Sequence, residues 1–350
     1  MRSMRSILAL ILMLTMVFVL AACGSAPAAP AEAGAPAAEA DAPVETVTLN
    51  MDLLQAEGSP IHDGALRFAE LVKEYTGGRY EIAVFSNCQL GNGNQLTSTE
   101  MAEKGTLDIV VTSFNHFSSS NPSFQVLTLP FLIEGNEFVD TKLVYGADVY
   151  SKLDEMTQAL NLKVLGITEL GWRDISNSKH TISSPADMEG LKFRAADAIT
   201  IASMTAMGAN PTNIDFGELF TALQQGAADG QENPVAGIFV PNRFYEVQKY
   251  LTIWEWVYTG LPICMNLDLW NSLSADDQAA IQQAATEACE YQKGVSRDFY
   301  GDAIQICKDN GVEITELTPE QKAAFKVCVE PLYAEYLAKA DADFVKMITG

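Results

Sequence analysis

The apolar positions of this chain change period along its length, and each change marks an element. Val47-Thr48-Leu49-Asn50-Met51 alternates apolar and polar, the two-residue period of a strand. Ser59-Pro60 then opens a helix, with a hydroxyl at the N-cap and proline in the first turn; Ile61, Ala65, Phe68, Val72 and Tyr75 follow at helical spacing until Gly77-Gly78. Tyr80–Phe85 alternates again, a helix is predicted near Gln95–Lys104, and a strand at Leu107–Val111. Leu162–Ile167 predicts a strand leading to Gly171-Trp172-Arg173, and Leu191-Lys192-Phe193-Arg194 a short one. Helices near Ile199–Met207 and Gly217–Gln225 flank a loop at Asn210-Pro211, and Asp229–Pro234 closes the unit. Ser274 caps a long helix that runs without proline to about residue 300, with Asp276 and Asp277 in its favourable first turn. Thr318-Pro319-Glu320-Gln321 is a capping-box start for a last helix. Alternating β and α elements, with strands rich in Val, Ile and Leu, predict an α/β fold with helices on both faces of the sheet.

Before this region the pattern is different. Arg2 and Arg5 precede an apolar run from Ile7 to Ala22 broken only by Thr15, the layout of a secretory signal. The run ends Leu20-Ala21-Ala22-Cys23, which resembles a bacterial lipobox. We therefore expect a lipoprotein signal peptide at 1–22 and a lipid anchor on Cys23, placing the protein outside the cytoplasm on a membrane surface. Residues 23–44 hold no large apolar side chain after the cysteine other than Val44 and read as an Ala/Pro-rich tether.

Charge narrows the function. The chain carries 22 Lys and Arg against 45 Asp and Glu, a net charge of −23. Loss of the signal removes two arginines and no acid, which makes it −25. Such a chain lacks the basic stripe that nucleic acid requires, and an anionic ligand would need a local cluster of cations in a cleft. Three histidines, His62, His116 and His180, form no metal-binding spacing, and no nucleophile elbow or phosphate loop is present, so no metal, cofactor or catalytic function is expected. Cys88, Cys264, Cys289, Cys307 and Cys328 show no CxxC spacing; the last three are either partly bridged or buried as thiols.

The segment Gly171–Lys249 resembles the DctP family, the solute receptors of TRAP (tripartite ATP-independent periplasmic) transporters. The resemblance rests on Gly171-Trp172-Arg173, Asp187-Met188-Glu189-Gly190-Leu191-Lys192-Phe193-Arg194, the run Phe216–Gly226, Asp229-Gly230-Gln231-Glu232-Asn233-Pro234 and Phe244–Tyr250. Gln89-Leu90-Gly91, Gly105–Asp108 and Leu129-Pro130-Phe131 extend it in order over nearly the whole mature chain. It implies a two-domain, periplasmic-binding-protein-like α/β fold with crossing strands, a cleft between the domains and a long helix spanning both. The domains are expected at 45–170 plus 259–298 and at 171–258 plus 299–350. It implies a monomeric receptor that delivers a small organic acid to small and large membrane subunits. ATP-driven importers also use two-domain lipoproteins, but the Asp229–Pro234 segment and the paired arginines favour the TRAP type.

Site residues follow from chemistry and resemblance together. Read alone, Arg194 is either a carboxylate ligand or an arginine paired to a surface acid; a guanidinium fork suits a carboxylate, and the resemblance assigns it that role. Arg173 resembles a second ligand-side arginine, with orienting Arg194 as its alternative. Asn233 matches an amide that contacts the carboxylate, and Phe216 an aromatic that packs on the ligand. Trp172 and Trp254 either line the pocket or fill the core. From the first domain, Asp52, Gln55, Glu57, Asn92, Ser113 and His116 are candidates for the ligand's other end. Ser113 and His116 replace a glutamate and an arginine of the sialic-acid-binding branch, which argues against that ligand. Many relatives place a histidine where this chain reads Thr252–Trp256. Sugar acids, hydroxy acids and C4-dicarboxylates all remain candidates.

Overall fold

The structure is a computed structural model that describes residues 46–350. The expected signal peptide, Cys23 and the tether lie outside the described residues. In chain order the elements are β1 (Val47–Leu53), α1 (Pro60–Tyr75), β2 (Tyr80–Phe85), α2 (Gln95–Glu103), β3 (Ile109–Val111), α3 (Asn136–Lys142), α4 (Asp148–Gln158), β4 (Leu162–Asn177), β5 (Lys192–Ala195), α5 (Ala198–Ala206), β6 (Asn210–Asn213), α6 (Phe216–Gln225), β7 (Gly230–Pro234), β8 (Tyr250–Asn266), α7 (Leu267–Ser272), α8 (Ala275–Asp309), β9 (Glu313–Glu316), α9 (Pro319–Leu337) and α10 (Ala342–Thr349).

The helix starts form where capping chemistry predicts them. Ser59, Asn94 and Ser274 each accept a backbone N–H of the first turn of α1, α2 and α8, and Thr318 with Gln321 makes the reciprocal capping box of α9.

The nine strands of the described residues join one sheet, in the order β2-β1-β3-β8-β4-β7-β5-β6, with β9 beside β8. Its axis is the antiparallel pair of β4, 16 residues, and β8, 17 residues. One end of this pair carries β3, β1 and β2, with β3 against Ile263–Met265. The other end carries β7 against Arg173–Asn177, then β5 and β6, while β9 lies along Tyr250–Ile253. Two α/β lobes therefore share two continuous strands. The β4–β8 register slips between Val164 and Gly166, Glu169 and Gly171, and Arg173 and Ile175. Each slip resets which face the next side chains occupy.

Three expectations change. The strand begun at Leu162 does not stop at Ile167 but runs to Asn177; Asn210-Pro211 is not a loop but opens β6; and α8 reaches Asp309. At 1.5 Å per residue α8 is about 50 Å long, enough to lie along both lobes. One apolar cluster under it, including Phe68, Ile281, Leu219, Phe239 and Phe244, is continuous from lobe to lobe. A second cluster, with Phe114, Phe124 and Tyr150, backs the β1–β3 lobe, and Phe344 and Ile348 of α10 return to it from the chain's end. A third, with Phe193, Met204, Trp254, Trp256 and Phe325, backs the β5–β7 lobe. The five described cysteines are unbridged thiols, four of them buried.

Candidate ligand-binding cleft

A cavity of about 600 Å³ opens between the lobes and is lined from both. Its size is that of a site for a small organic molecule. The β5–β7 lobe contributes Arg173, Arg194, Phe216, Glu232 and Asn233; the β1–β3 lobe contributes Gln55, Asn92, Ser113, Asn115 and His116.

Arg173 sits on β4 directly across from β7, whose residues Gln231, Glu232 and Asn233 are polar yet buried. Such a strand is tolerable only if its side chains are satisfied. Gln231 Nε2 donates to Ser176 Oγ at 2.8 Å, Asn233 Nδ2 donates to Gln231 Oε1 at 2.5 Å, and Asn233 Oδ1 accepts from Arg173 Nη2 at 3.0 Å. Arg173 grips both carboxylate oxygens of Glu232: Nη2 donates to Oε1 at 2.8 Å and Nε closes the second arm on Oε2. Nη2 also reaches the Glu232 carbonyl at 2.9 Å. Burial works against the Arg173 cation, but the adjacent Glu232 charge outweighs it and holds the pKa above the usual arginine value.

Arg194 is in the opposite condition. It is 5% exposed, and Nε donates to the Ile214 carbonyl at 2.9 Å, which fixes the plane of the guanidinium. Among the described residues neither Nη atom has a hydrogen-bond or ion-pair partner. Burial, reinforced by the nearby Arg173, pushes its pKa below the usual range, with Glu232 opposing. Two Nη groups on a fixed plane, lining a cavity, have the geometry that suits a carboxylate.

The other candidates separate. Phe216 lines the cavity at the start of α6 and meets Phe244 edge-on, with centroids 6.3 Å apart. Asn92 lines it from a turn with positive φ. Asp52 does not line it. Its carboxylate is fully buried beneath that turn, accepting from Gly91 N at 3.2 Å and Ser98 Oγ at 2.7 Å. A Cβ at position 91 would stand 2.1 Å from Ser98 Oγ, so glycine permits the approach. Asp52 thus holds the turn that presents Asn92. Trp172 also stands outside the lining: its Nε1 donates to Asn136 Oδ1 at 2.8 Å, and its ring braces Tyr258, which does line the cavity. Trp254 is core, and its stacked neighbour Trp256 faces the cleft instead.

His116 lines the cavity with Nδ1 3.0 Å from Thr112 Oγ1, itself 2.5 Å from Thr99 Oγ1. Burial pushes its pKa down to about 4, with Asp197 opposing weakly, so the ring is neutral near pH 7. Sequence reading passed over Asn115, Asp197 and Glu232. Asn115 Nδ2 donates across the cleft to Asp197 Oδ2 at 2.8 Å, and Asp197 Oδ1 caps α5 through Thr200 N at 2.8 Å. A signal for Glu232 existed: consecutive polar residues in a short central strand imply buried partners.

Two lobes on crossing strands around a cleft that holds a fixed, unpaired guanidinium define a solute-binding protein of the two-domain α/β type. The chain belongs to the bacterial extracellular solute-binding protein family 7, DctP, whose profile matches residues 53–340. That family consists of extracytoplasmic substrate-binding receptors of transporters. Over 265 residues the chain is 31% identical to the 2,3-diketo-L-gulonate-binding periplasmic protein of Escherichia coli K12, covering 75% of this chain and 79% of the relative. The sugar acid binding protein DctPAm of Advenella mimigardefordensis, solved with galactonate, is 30% identical with a TM-score of 0.81, covering 87% of this chain and 97% of that one. A TRAP periplasmic solute-binding protein of Sulfurospirillum deleyianum, solved with succinate, is also 30% identical, with a TM-score of 0.78 and coverage of 87% and 98%.

Proposed function

We propose that the chain is the receptor of a TRAP transporter that captures a small organic acid, Arg194 taking the carboxylate and Arg173 and Asn233 setting its surroundings. The observation that carries this reading is the contrast between the two arginines: Arg173 is saturated by Glu232, whereas Arg194 is held by one backbone bond and offers the cavity both Nη groups. The role is binding and closure, not catalysis. The cleft's one histidine is occupied by Thr112 through Nδ1, and the bound acid leaves unchanged for small and large membrane subunits. The proposed lobes are 45–170 plus 259–298 and 171–258 plus 299–350, working as a monomer tethered to the membrane through lipid on Cys23. Metabolic labelling with a radioactive fatty acid, lost in Cys23→Ala, tests the anchor.

The receptor reading is tested by thermal denaturation of the purified protein with organic acids. A ligand at 100 times its Kd adds about 2.7 kcal/mol to stability. The expected result is a shift with at least one acid that disappears in Arg194→Ala. Shifts with neutral or cationic solutes alone, or shifts that persist in Arg194→Ala, refute it.

A further inference from the structure

The charges facing the cleft count out which kind of acid it takes. We propose that the ligand is a monocarboxylate carrying several hydroxyls, of the aldonic sugar-acid kind, and that dicarboxylates are excluded; this rests on the receptor reading above and narrows its substrate class.

Among the described residues lining the cavity, the lysines and arginines are Arg173 and Arg194 and no others. Arg173 is neutralised within the protein by Glu232, which grips it through both carboxylate oxygens. One guanidinium is left to balance ligand charge, so one carboxylate finds a counter-ion and a second does not. The second would also meet anions. Asp197 faces the cavity with its oxygens taken by Asn115 and by the α5 N-terminus, and Asp215 and Glu218 line the rim near Phe216. Removing an unpaired carboxylate from water in such surroundings is strongly unfavourable.

The far end of the cavity is built for neutral polar groups. Gln55, Asn92, Gln95 and Ser113, from the β1–β3 lobe, supply amides and a hydroxyl, the chemistry that matches a chain of hydroxyls. His116, the one further group there able to become a cation, is tied through Nδ1 to the Thr112–Thr99 hydroxyl pair. Thr99 Oγ1 also lies 2.8 Å from the Gln95 carbonyl, to which it donates. Its oxygen is then free to accept from Thr112, whose oxygen in turn accepts from His116 Nδ1–H. This order of donors leaves Nε2 as an acceptor, suited to a ligand hydroxyl and unsuited to a carboxylate.

The test is titration calorimetry on purified protein freed of carried ligand by reversible unfolding. Galactonate and galactarate differ by one carboxylate at C6 and form the central pair. Gluconate, succinate, pyruvate and neutral galactose complete the set, and Arg194→Ala is run in parallel. The expected result is that an aldonate binds at least about a hundredfold more tightly than galactarate and succinate, with binding lost in Arg194→Ala. Galactarate or succinate binding as tightly as the aldonates, still dependent on Arg194, overturns the charge count and leaves the receptor reading standing. Pyruvate binding more tightly than both aldonates overturns the hydroxyl half. Galactose binding as well as galactonate, or no acid binding at all, overturns the carboxylate reading and this inference with it.

Discussion

Arg173 and Arg194 share a cavity but are expected to fail in opposite ways. Arg173→Ala strands Glu232, which is fully buried. Breaking a buried pair from one side costs about 3–5 kcal/mol, so this variant should lose stability in urea whether or not ligand is present, and Glu232→Gln added to it should restore much of the loss. Arg194→Ala removes a buried cation that forms no direct ion pair among the described residues. It should fold with unchanged or higher stability, yet bind acid more weakly by about 2–5 kcal/mol, the usual cost of truncating one partner of a buried charged contact. A second residue-scale pair governs acid stability. His116 titrates near 4 in the folded chain against 6.5 ordinarily, so the unfolded chain holds more protons between those values, and stability is lost as pH falls through that window. Asp174 does the reverse. Burial raises it to about 7 from 3.8, its Oδ1 accepts from Trp254 N and Glu255 N, and its Oδ2 has no partner. Stability is therefore lost as pH rises from about 4 to 7. The two contributions oppose, and single variants should unmask them. In urea midpoints measured from pH 4 to 8, His116→Gln should leave stability falling as pH rises, and Asp174→Asn should leave it rising.

At the scale of elements, one point of mutual dependence is the slip in the β4–β8 ladder at Glu169. There α8 supplies the missing hydrogen bonds: Gln292 Oε1 accepts from Glu169 N at 2.7 Å and its Nε2 donates to Glu169 O at 2.9 Å. Gly64 of α1 leaves the space, since a Cβ there would stand 2.5 Å from Gln292 Cγ. Gln292→Ala should cost about 1–3 kcal/mol for each backbone group orphaned. Gly64→Ala should destabilise the wild type but cost much less in a Gln292→Gly background, because Gln292 Cβ, which would stand 2.6 Å from the new Cβ, must be removed as well as the rest of the side chain. A double-mutant cycle by urea unfolding reads this coupling, and additive losses would show the two positions independent. Elements of this kind set the limit of what the sequence discloses. Helix starts at Ser59-Pro60, Ser274 and Thr318 are legible because a cap is a local interaction between neighbours. The length of β4 and β8 is not. Their alternation resets at every register slip, and burial on both faces erases the polar half of the pattern. Asn210–Asn213 carries no apolar residue except Pro211, and becomes a strand only because β5 lies beside it. Within the site, Arg194 and Asn233 are legible from motif and residue type. Asp52 and Trp172 mislead because proximity in sequence to a strand end does not say which side of a turn a side chain supports.

For the whole molecule, the proposed binding-and-closure role makes function depend on the free-energy difference between open and closed arrangements of the two lobes. Most of what joins them is common to both arrangements: β4, β8 and α8 run continuously from one lobe to the other. The bond from Asn115 to Asp197 is different, because it joins a turn after β3 to the start of α5 across the mouth of the cavity. Under the proposed closure it forms only while the lobes stand this close, so it stabilises the closed arrangement alone. A ligand shifts closure only by its extra affinity for the closed form, and this bond sets how much of that affinity is needed. A hydrogen bond to a charged group is worth about 1.5–3 kcal/mol net. Asn115→Ala should therefore weaken acid binding by roughly ten- to a hundredfold, through faster dissociation and not slower association, since the open cleft presents the same entrance. Asn115→Asp should weaken it further by setting two carboxylates face to face. Stopped-flow binding with small-angle scattering of the free protein checks this: dissociation should quicken and the mean radius of gyration should rise in Asn115→Ala. Unchanged dissociation with an unchanged radius would mean that the shared strands and α8 alone hold the lobes at this separation, with the acid filling a cleft already formed.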